Sequence, residues 1–360
     1  MSSTVEPSKV EAHKCRSCKG SSVSELDYTH WIFPAKPLNW SNIFCHECGL
    51  VSHYKNSGKL VTYADQEYRK KKETVYPPIS LPWSTVSFKR WKHIARIVEG
   101  SINEASLSSY SILDFGGYNG LLVRALQQHW GSDCTVADLD QEGLDFAEAM
   151  GFKTINLSKH PDLFEKYNLI TMVHVLEHVQ DPAVSISSLV EALHDDGSVY
   201  IEVPNLFGFP LIDDAHLSTF TLDSLRYLCQ TSGLEILASG YCQTPLEAIH
   251  FDYPYSTNKE NVYVLARKSS RSAHKSSASF DLTPTRDINS IKHELTKNYT
   301  YRGFSISASH FRVGISKVLL SIVVFLISLL SLIPVIRRIV TSRSMYAYLK
   351  KLQNRMRDKS

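Results

Sequence analysis

The sequence predicts an α/β fold in which a mostly parallel sheet is linked by crossover helices. Three observations predict it. Short β-branched strands alternate with helical patterns from Ser108 to about Lys268. A glycine-rich turn at 115–120, FGGYNG, joins an apolar strand to a helical run. The next strand, TVAD, ends on an acid, Asp138, about twenty residues further on.

The chain of 360 residues has room for one domain of roughly 150–200 residues and smaller attachments. Five stretches differ in character. Residues 1–60 hold paired cysteines, turn formers and aromatics. Residues 61–107 are polar and basic, then helix-like around Phe88–Val98, and read as a helical connector. Residues 108–268 carry the alternating pattern. Residues 269–300 continue the polar run KSSRSAHKSSAS and read as a flexible linker. Residues 301–360 hold an uncharged apolar run and a basic tail. With 43% hydrophobic and 21% charged residues the composition is that of a globular protein. A net charge of +3, with Arg69–Lys72 the only dense basic cluster before the linker, gives no reason to expect nucleic acid as a partner. The polar first dozen residues argue against a secretory signal. Seven cysteines, an odd number, fit a reducing compartment, with Cys134, Cys229 and Cys242 as buried free thiols.

Within 108–268 each element follows from its residues. The strand SILDF meets Gly116, Gly117 and Gly120, which let the backbone turn sharply and let a ligand approach without a Cβ in the way. Alone, this is also how any tight strand-to-helix turn reads. A carboxylate at Asp138 can accept hydrogen bonds from both hydroxyls of a ribose, while Asp140 has a sufficient role as a helix N-cap. KTINL, the apolar strand YNLITMVHV, the turn LEHVQDP, a helix and DDGSVYIEVPN follow in order.

LDFGGYNG, ADLD, VHVLEHVQDP and DGSVYIEVPN, in that order and spacing, resemble the successive motifs of class I, Rossmann-like S-adenosylmethionine-dependent methyltransferases of the type 11/12/23 kind. LEHVQDP is similar to the branch that includes the ubiquinone-biosynthesis O-methyltransferases. The resemblance covers roughly residues 108–268. It implies S-adenosyl-L-methionine as cofactor, with Asp114, Gly116 and Gly120 at its methionine end. It also implies Asp138 at the ribose, Asn156 and Leu157 beside the adenine, and His174 close to the sulfonium. One position departs from the pattern: Tyr118 stands where most members have the middle glycine. The zinc-bearing sugar C-methyltransferases also lack that glycine and also carry N-terminal C-x-x-C pairs, which points to a carbohydrate acceptor. Those enzymes continue into a second α/β domain that residues 269–360 do not resemble.

Methyl transfer to a hydroxyl or carbon acid needs an aligned acceptor and a group to remove its proton. Histidine suits the second task because its unperturbed pKa is about 6.5. Glu177 and His178, past the end of the fourth strand, and His216, in DDAHLSTFT after the fifth, are the catalytic candidates. Structural roles stay open for all three. Glu177 also reads as a metal ligand of the quinone-type branch or as part of the acceptor pocket. Asp213 and Asp214 read as a solvated turn.

Cys15, Cys18, Cys45 and Cys48 form two C-x-x-C pairs with 26 residues between them. They can supply four thiolates to a structural Zn²⁺, with His46 or His53 as a substitute ligand. Trp31, Phe33, Trp40 and Phe44 lie between the pairs as the core of that module. Near the C-terminus, Val318–Ile336 gives 19 uncharged residues, enough to cross a bilayer of roughly 30 Å. The basic tail and a cytosolic cofactor favour a monotopic helix or re-entrant hairpin over a single span. The expectation is a cytoplasmic protein in peripheral or monotopic contact with the membrane through 313–340, acting on a small-molecule or lipid-linked sugar. The alternatives are O-methylation of a phenolic or quinone-like lipid, and a zinc-containing scaffold with a degenerate methyltransferase fold.

Overall fold

The computed structural model describes residues 14–26, 40–55, 81–102, 104–208, 215–242, 260–269 and 287–294. The expectations for Trp31, Phe33, Arg69–Lys72, Asp213, Asp214 and the whole of 301–360 lie outside the described residues.

The N-terminal strands are β1 (Val23–Glu25), β2 (Trp40–Cys45) and β3 (Val51–Lys55), paired antiparallel. The larger sheet uses β4 (Ser111–Phe115), β5 (Asp133–Asp138), β6 (Lys153–Asn156), β7 (Tyr167–Val173) and β8 (Leu193–Pro204), all parallel. The two-residue β9 (Ser218–Thr219) leaves that sheet and pairs antiparallel with β3, completing a four-stranded N-terminal sheet. Then β10 (Leu234–Cys242) and β11 (Asn261–Lys268) return to the larger sheet, β11 running antiparallel between β8 and β10. The resulting order is β10-β11-β8-β7-β4-β5-β6. It is the doubly wound parallel arrangement with one reversed strand inserted near an edge. The strand order turns back between β4 and β7, and the carboxyl ends at such a switch point are where open α/β sheets bind ligands.

Among the described residues, five helices flank these strands: α1 (Leu81–Glu99), α2 (Leu121–Trp130), α3 (Gln141–Ala149), α4 (Pro182–Glu191) and α5 (Leu222–Thr231). Their starts follow from short polar side chains. Asp140 accepts from the amides of Glu142 and Gly143, and Asp181 caps α4 ahead of Pro182. Thr221 and Ser224 cap α5 reciprocally. The α1 helix begins before the helix-like stretch read at Phe88–Val98.

Alternating strand residues divide the core into two faces. Ile112, Leu169 and Tyr200 pack with Ile94 and Val98 of α1, Leu126 of α2 and Leu144 of α3. Their chain neighbours Leu113, Ile170 and Ile201 pack with Ile186 of α4 and Leu225 of α5. Cys15, Cys45, Cys48 and Leu50 belong to this second cluster, so the N-terminal module shares the main core. A smaller cluster joins Leu26, Phe44, Val51 and Leu206 to Ile291. Ile291 lies in a helical stretch, 288–294, inside the segment read as a linker. Among the described residues no helix is long and apolar enough to cross a membrane.

Candidate active site

The glycine turn follows β4 directly. Gly116 has φ +75°, and a Cβ there would come within 2.2 Å of Val175. Its amide and that of Gly117 both donate to the carbonyl of Ala137 on β5, which ties the turn to the neighbouring strand. Gly120, φ +70°, opens α2 and packs against Val136, Ala147 and Phe152. Tyr118 keeps the left-handed conformation a glycine would take, with φ 49°. Its ring lies over Gly143 of α3, where a Cβ would approach it to 2.4 Å. The missing middle glycine is thus matched by a glycine on the facing helix, and the turn keeps its shape.

Two carboxyls line this turn. Asp114 is buried; its Oδ1 accepts from the Thr171 hydroxyl at 2.7 Å, while Oδ2 has no hydrogen-bond partner among the described residues. Burial pushes its pKa up to about 7, Asp138 adds to that, and the Thr171 bond opposes it. Asp138 accepts from the amides of Tyr118 at 2.9 Å and Asp140 at 2.8 Å. Its pKa is raised by burial, against the pull of those two amides. At the end of β6, Asn156 bonds Gln141 and the amides of Ser158 and Lys159, and the Leu157 amide donates to the Asp138 carbonyl. Asp114, the three glycines, Asp138, Asn156 and Leu157 therefore sit along the carboxyl ends of β4, β5 and β6. A turn that admits no Cβ at Gly116 or Gly117 and a buried, half-satisfied carboxyl beneath it fit an elongated ligand bearing an ammonium group and a ribose.

The strand β7 ends on His174, another non-glycine residue at positive φ, 55°. Its Nδ1 lies 3.4 Å from Glu177 Oε1, and its Nε2 lies 3.7 Å from Glu202 Oε1 and 3.2 Å from Arg90 Nη2. Burial works against protonation of His174, but the two carboxylates outweigh it and raise its pKa. Glu202 is 1% exposed and paired with Arg90 Nε at 3.0 Å. It also accepts from Tyr200 Oη and Asn261 Nδ2. Burial would raise its pKa, yet Arg90 and His174 hold it down at about 2.

Glu177, His178 and His216 come together beside this network. Glu177 is 1% exposed, and among the described residues neither carboxylate oxygen has a hydrogen-bond partner. Burial again opposes ionisation; His174, His178 and His216 overcome it and hold the pKa at about 2. His178 Nδ1 contacts the Ala215 carbonyl at 3.0 Å, which puts the proton on Nδ1 and leaves Nε2 as the basic nitrogen. The rings of His178 and His216 meet edge to face with centroids 4.8 Å apart. One ligand atom from each of the three lies within 4.8 Å of the others, a spacing that could also hold a metal ion.

The four N-terminal cysteines form the other such group. Cys15 and Cys48 sulfurs are 3.5 Å apart, as are those of Cys18 and Cys45. That is far longer than a disulfide and close to the roughly 3.8 Å expected between thiolates on a tetrahedral Zn²⁺. Lys19 and Gly49, each just past a second cysteine, have φ 60° and 72°, so both pairs make the same tight turn. His46 bonds Ser24 and His53 bonds Asn42 and Thr219; among the described residues the ligand atoms that come together here are the four cysteine sulfurs. Phe44 is buried in the module as expected, while the Trp40 side chain lies outside the described residues.

The family model described as a methyltransferase domain matches residues 90–239. The chain is an S-adenosylmethionine-dependent methyltransferase. No curated protein matches it at a significant level. Among solved structures, an S-adenosylmethionine-dependent methyltransferase from Mesorhizobium loti aligns at 16% identity over 48% of this chain and 96% of that one, with a TM-score of 0.39. A Clostridium acetobutylicum methyltransferase aligns at 14% over 57% and 98%, TM-score 0.37. Magnesium protoporphyrin IX methyltransferase from Synechocystis aligns at 15% over 57% and 94%, TM-score 0.41.

Sequence reasoning missed three parts of this methyltransferase site. Arg90 lay in what read as a connector. Glu202 was visible as a lone acid in the apolar strand VYIEV, a signal that asks for a buried partner. Gly143 carries no signal in the sequence, because its role comes from the Tyr118 ring that rests on it.

Proposed function

We propose that the methyltransferase acts on a sugar or glycan, water-soluble or lipid-linked, with His178 or His216 as the base. The observation that supports this best is the cluster of buried Glu177 with His178 and His216, which follows Val175, the residue against Gly116 of the glycine turn. S-adenosyl-L-methionine supplies an electrophilic methyl group on a sulfonium. With the cofactor bound, its methyl group would pass to the acceptor's oxygen or carbon and S-adenosylhomocysteine would leave, while His178 or His216 would take the acceptor's proton and Glu177 would stabilise the imidazolium. Gly116, Gly117 and Gly120 admit the cofactor. Asp114 faces its ammonium group, Asp138 the ribose, and Asn156 and Leu157 the adenine, while His174 stands near the sulfonium. The four cysteines hold a structural Zn²⁺ with no open position.

A second reading has the same cluster seating a divalent cation that binds neighbouring oxygens of a phenolic or quinone-like lipid. The spacing of the three ligand atoms favours it. Both readings take residues 313–340 to hold the enzyme at the cytoplasmic face of a membrane, a reading supported by the uncharged run Val318–Ile336 and the basic residues after it. Incubation with methyl-labelled S-adenosylmethionine and a panel of nucleotide sugars, lipid-linked glycans and catechol lipids tests the choice. Label on a sugar carbon or hydroxyl is expected. Label on the phenols alone, abolished by chelation, would replace this reading with the second. A chain that binds the cofactor and methylates no acceptor in any class would favour a scaffold.

A further inference from the structure

The last strand of the cysteine module and the segment carrying His216 form one sheet, through pairings Val51↔Thr219 and Ser52↔Ser218. A two-residue strand such as β9 has little stability of its own; what fixes it is the strand beside it. The His53 amide donates to the Leu217 carbonyl at 2.9 Å, and the Leu217 amide donates to the Glu177 carbonyl at 2.7 Å. Leu217 is therefore held from both sides, by the module and by the Glu177–His178 turn, with His216 directly before it.

The His53 side chain repeats the connection. It is 1% exposed, with Nδ1 2.7 Å from Asn42 Oδ1 and Nε2 2.7 Å from Thr219 Oγ1. Arg16, one residue past the first metal-site cysteine, donates from Nη2 to the His53 carbonyl. Cys15, Cys48 and Leu50 share a core cluster with Leu176 and Phe220, which flank the two halves of the acceptor side. Movement of the cysteine module must therefore move Leu217.

We infer that the four-cysteine module positions the acceptor side of the site, with His53 as the positioning residue that holds the Leu217–Thr219 backbone and hence His216. This rests on the reading of His216 as an acceptor-side residue. It goes further in making the placement of His216 depend on metal in the cysteine cluster while the cofactor side does not. The glycine turn, Asp114 and Asp138 are built on β4 and β5 and make no hydrogen bond to the module among those described.

The test uses the metal-loaded full chain with three variants. Thr219→Val removes only the ring bond at constant shape, His53→Leu removes both ring bonds, and His53→Gln restores a polar partner. Hydrogen exchange at the Leu217 amide and the imidazole ¹H–¹⁵N signals of His178 and His216 report the acceptor side. Calorimetry with S-adenosylmethionine reports the cofactor side. We expect Leu217 exchange to rise about tenfold in Thr219→Val, and more in His53→Leu or after metal removal. The His216 signal should shift, His53→Gln should recover most of the effect, and cofactor affinity should stay within about threefold. An unchanged Leu217 amide and His216 signal in Thr219→Val and after metal removal would overturn the inference. So would a parallel loss of cofactor binding, which would mean that the module merely holds the whole fold together. None of these readouts uses the acceptor, so a wrong acceptor class leaves the test intact.

Discussion

Tyr118 shows how a single residue can depart from a motif without loss of its geometry. The backbone needs positive φ there, which costs a non-glycine residue about 1 kcal/mol, and the ring needs room, which Gly143 provides. Gly143→Ala should therefore destabilise the wild type by about 1–2 kcal/mol. The same change should be nearly silent beside Tyr118→Gly, a coupling that denaturant unfolding of the four chains would measure. Gly116→Ala has no such remedy, since both φ +75° and the contact with Val175 oppose it. A loss of about 2–4 kcal/mol and of cofactor binding is expected. Asp114 makes a different prediction. Its folded pKa near 7 lies above the unfolded value of about 3.9, so the native chain holds an extra proton between those limits. Stability contributed by Asp114 therefore falls as pH rises from about 4 to 7, by at most about 1.4 kcal/mol per pH unit. Comparison with Asp114→Asn isolates that slope. His53, which burial pushes down to about 3, adds an opposite one to both chains. A difference between the two chains that does not change between pH 5 and 7.5 would contradict the assignment.

At the scale of elements, α1 is joined to the sheet by a buried ion pair. Arg90→Met would leave Glu202 charged without its guanidinium partner, with Tyr200, Asn261 and the more distant His174 still beside it. Removal of one partner of such a pair costs about 3–5 kcal/mol. Arg90→Met with Glu202→Gln should recover a good part of that, and thermal unfolding of the three variants checks it. The N-terminal strands of three, six and five residues are too short to persist without a cross-link. Cys48→Ser, or a strong chelator, should therefore melt β1–β3 and free Ile291 from its contact with Phe44 and Val51, lowering the Tm by several degrees.

Taken whole, the large sheet was legible because its strands are buried on both faces and its turns carry glycines and acids at fixed offsets. The same was true of Cys15, Cys18, Cys45 and Cys48, whose spacing alone announces a cluster. His178 and His216 can be nominated one by one, but their edge-to-face meeting depends on β9 pairing with β3 of the N-terminal sheet. A two-residue strand leaves no period to read. Arg90 and Glu202 are 112 positions apart, and a pair formed across a helix–sheet packing interface leaves no local pattern either. Sequence reports what neighbours in the chain must do; it is silent where the fold brings strangers together.

The most direct test of the account is a calorimetric titration of the metal-loaded full chain with S-adenosylmethionine, beside Asp138→Ala. Saturable binding at one site, lost in the variant while its circular dichroism stays native, is the predicted result. No binding by the folded wild type, or equal binding by Asp138→Ala, would contradict the site assigned to the glycine turn and the ends of β4 and β5.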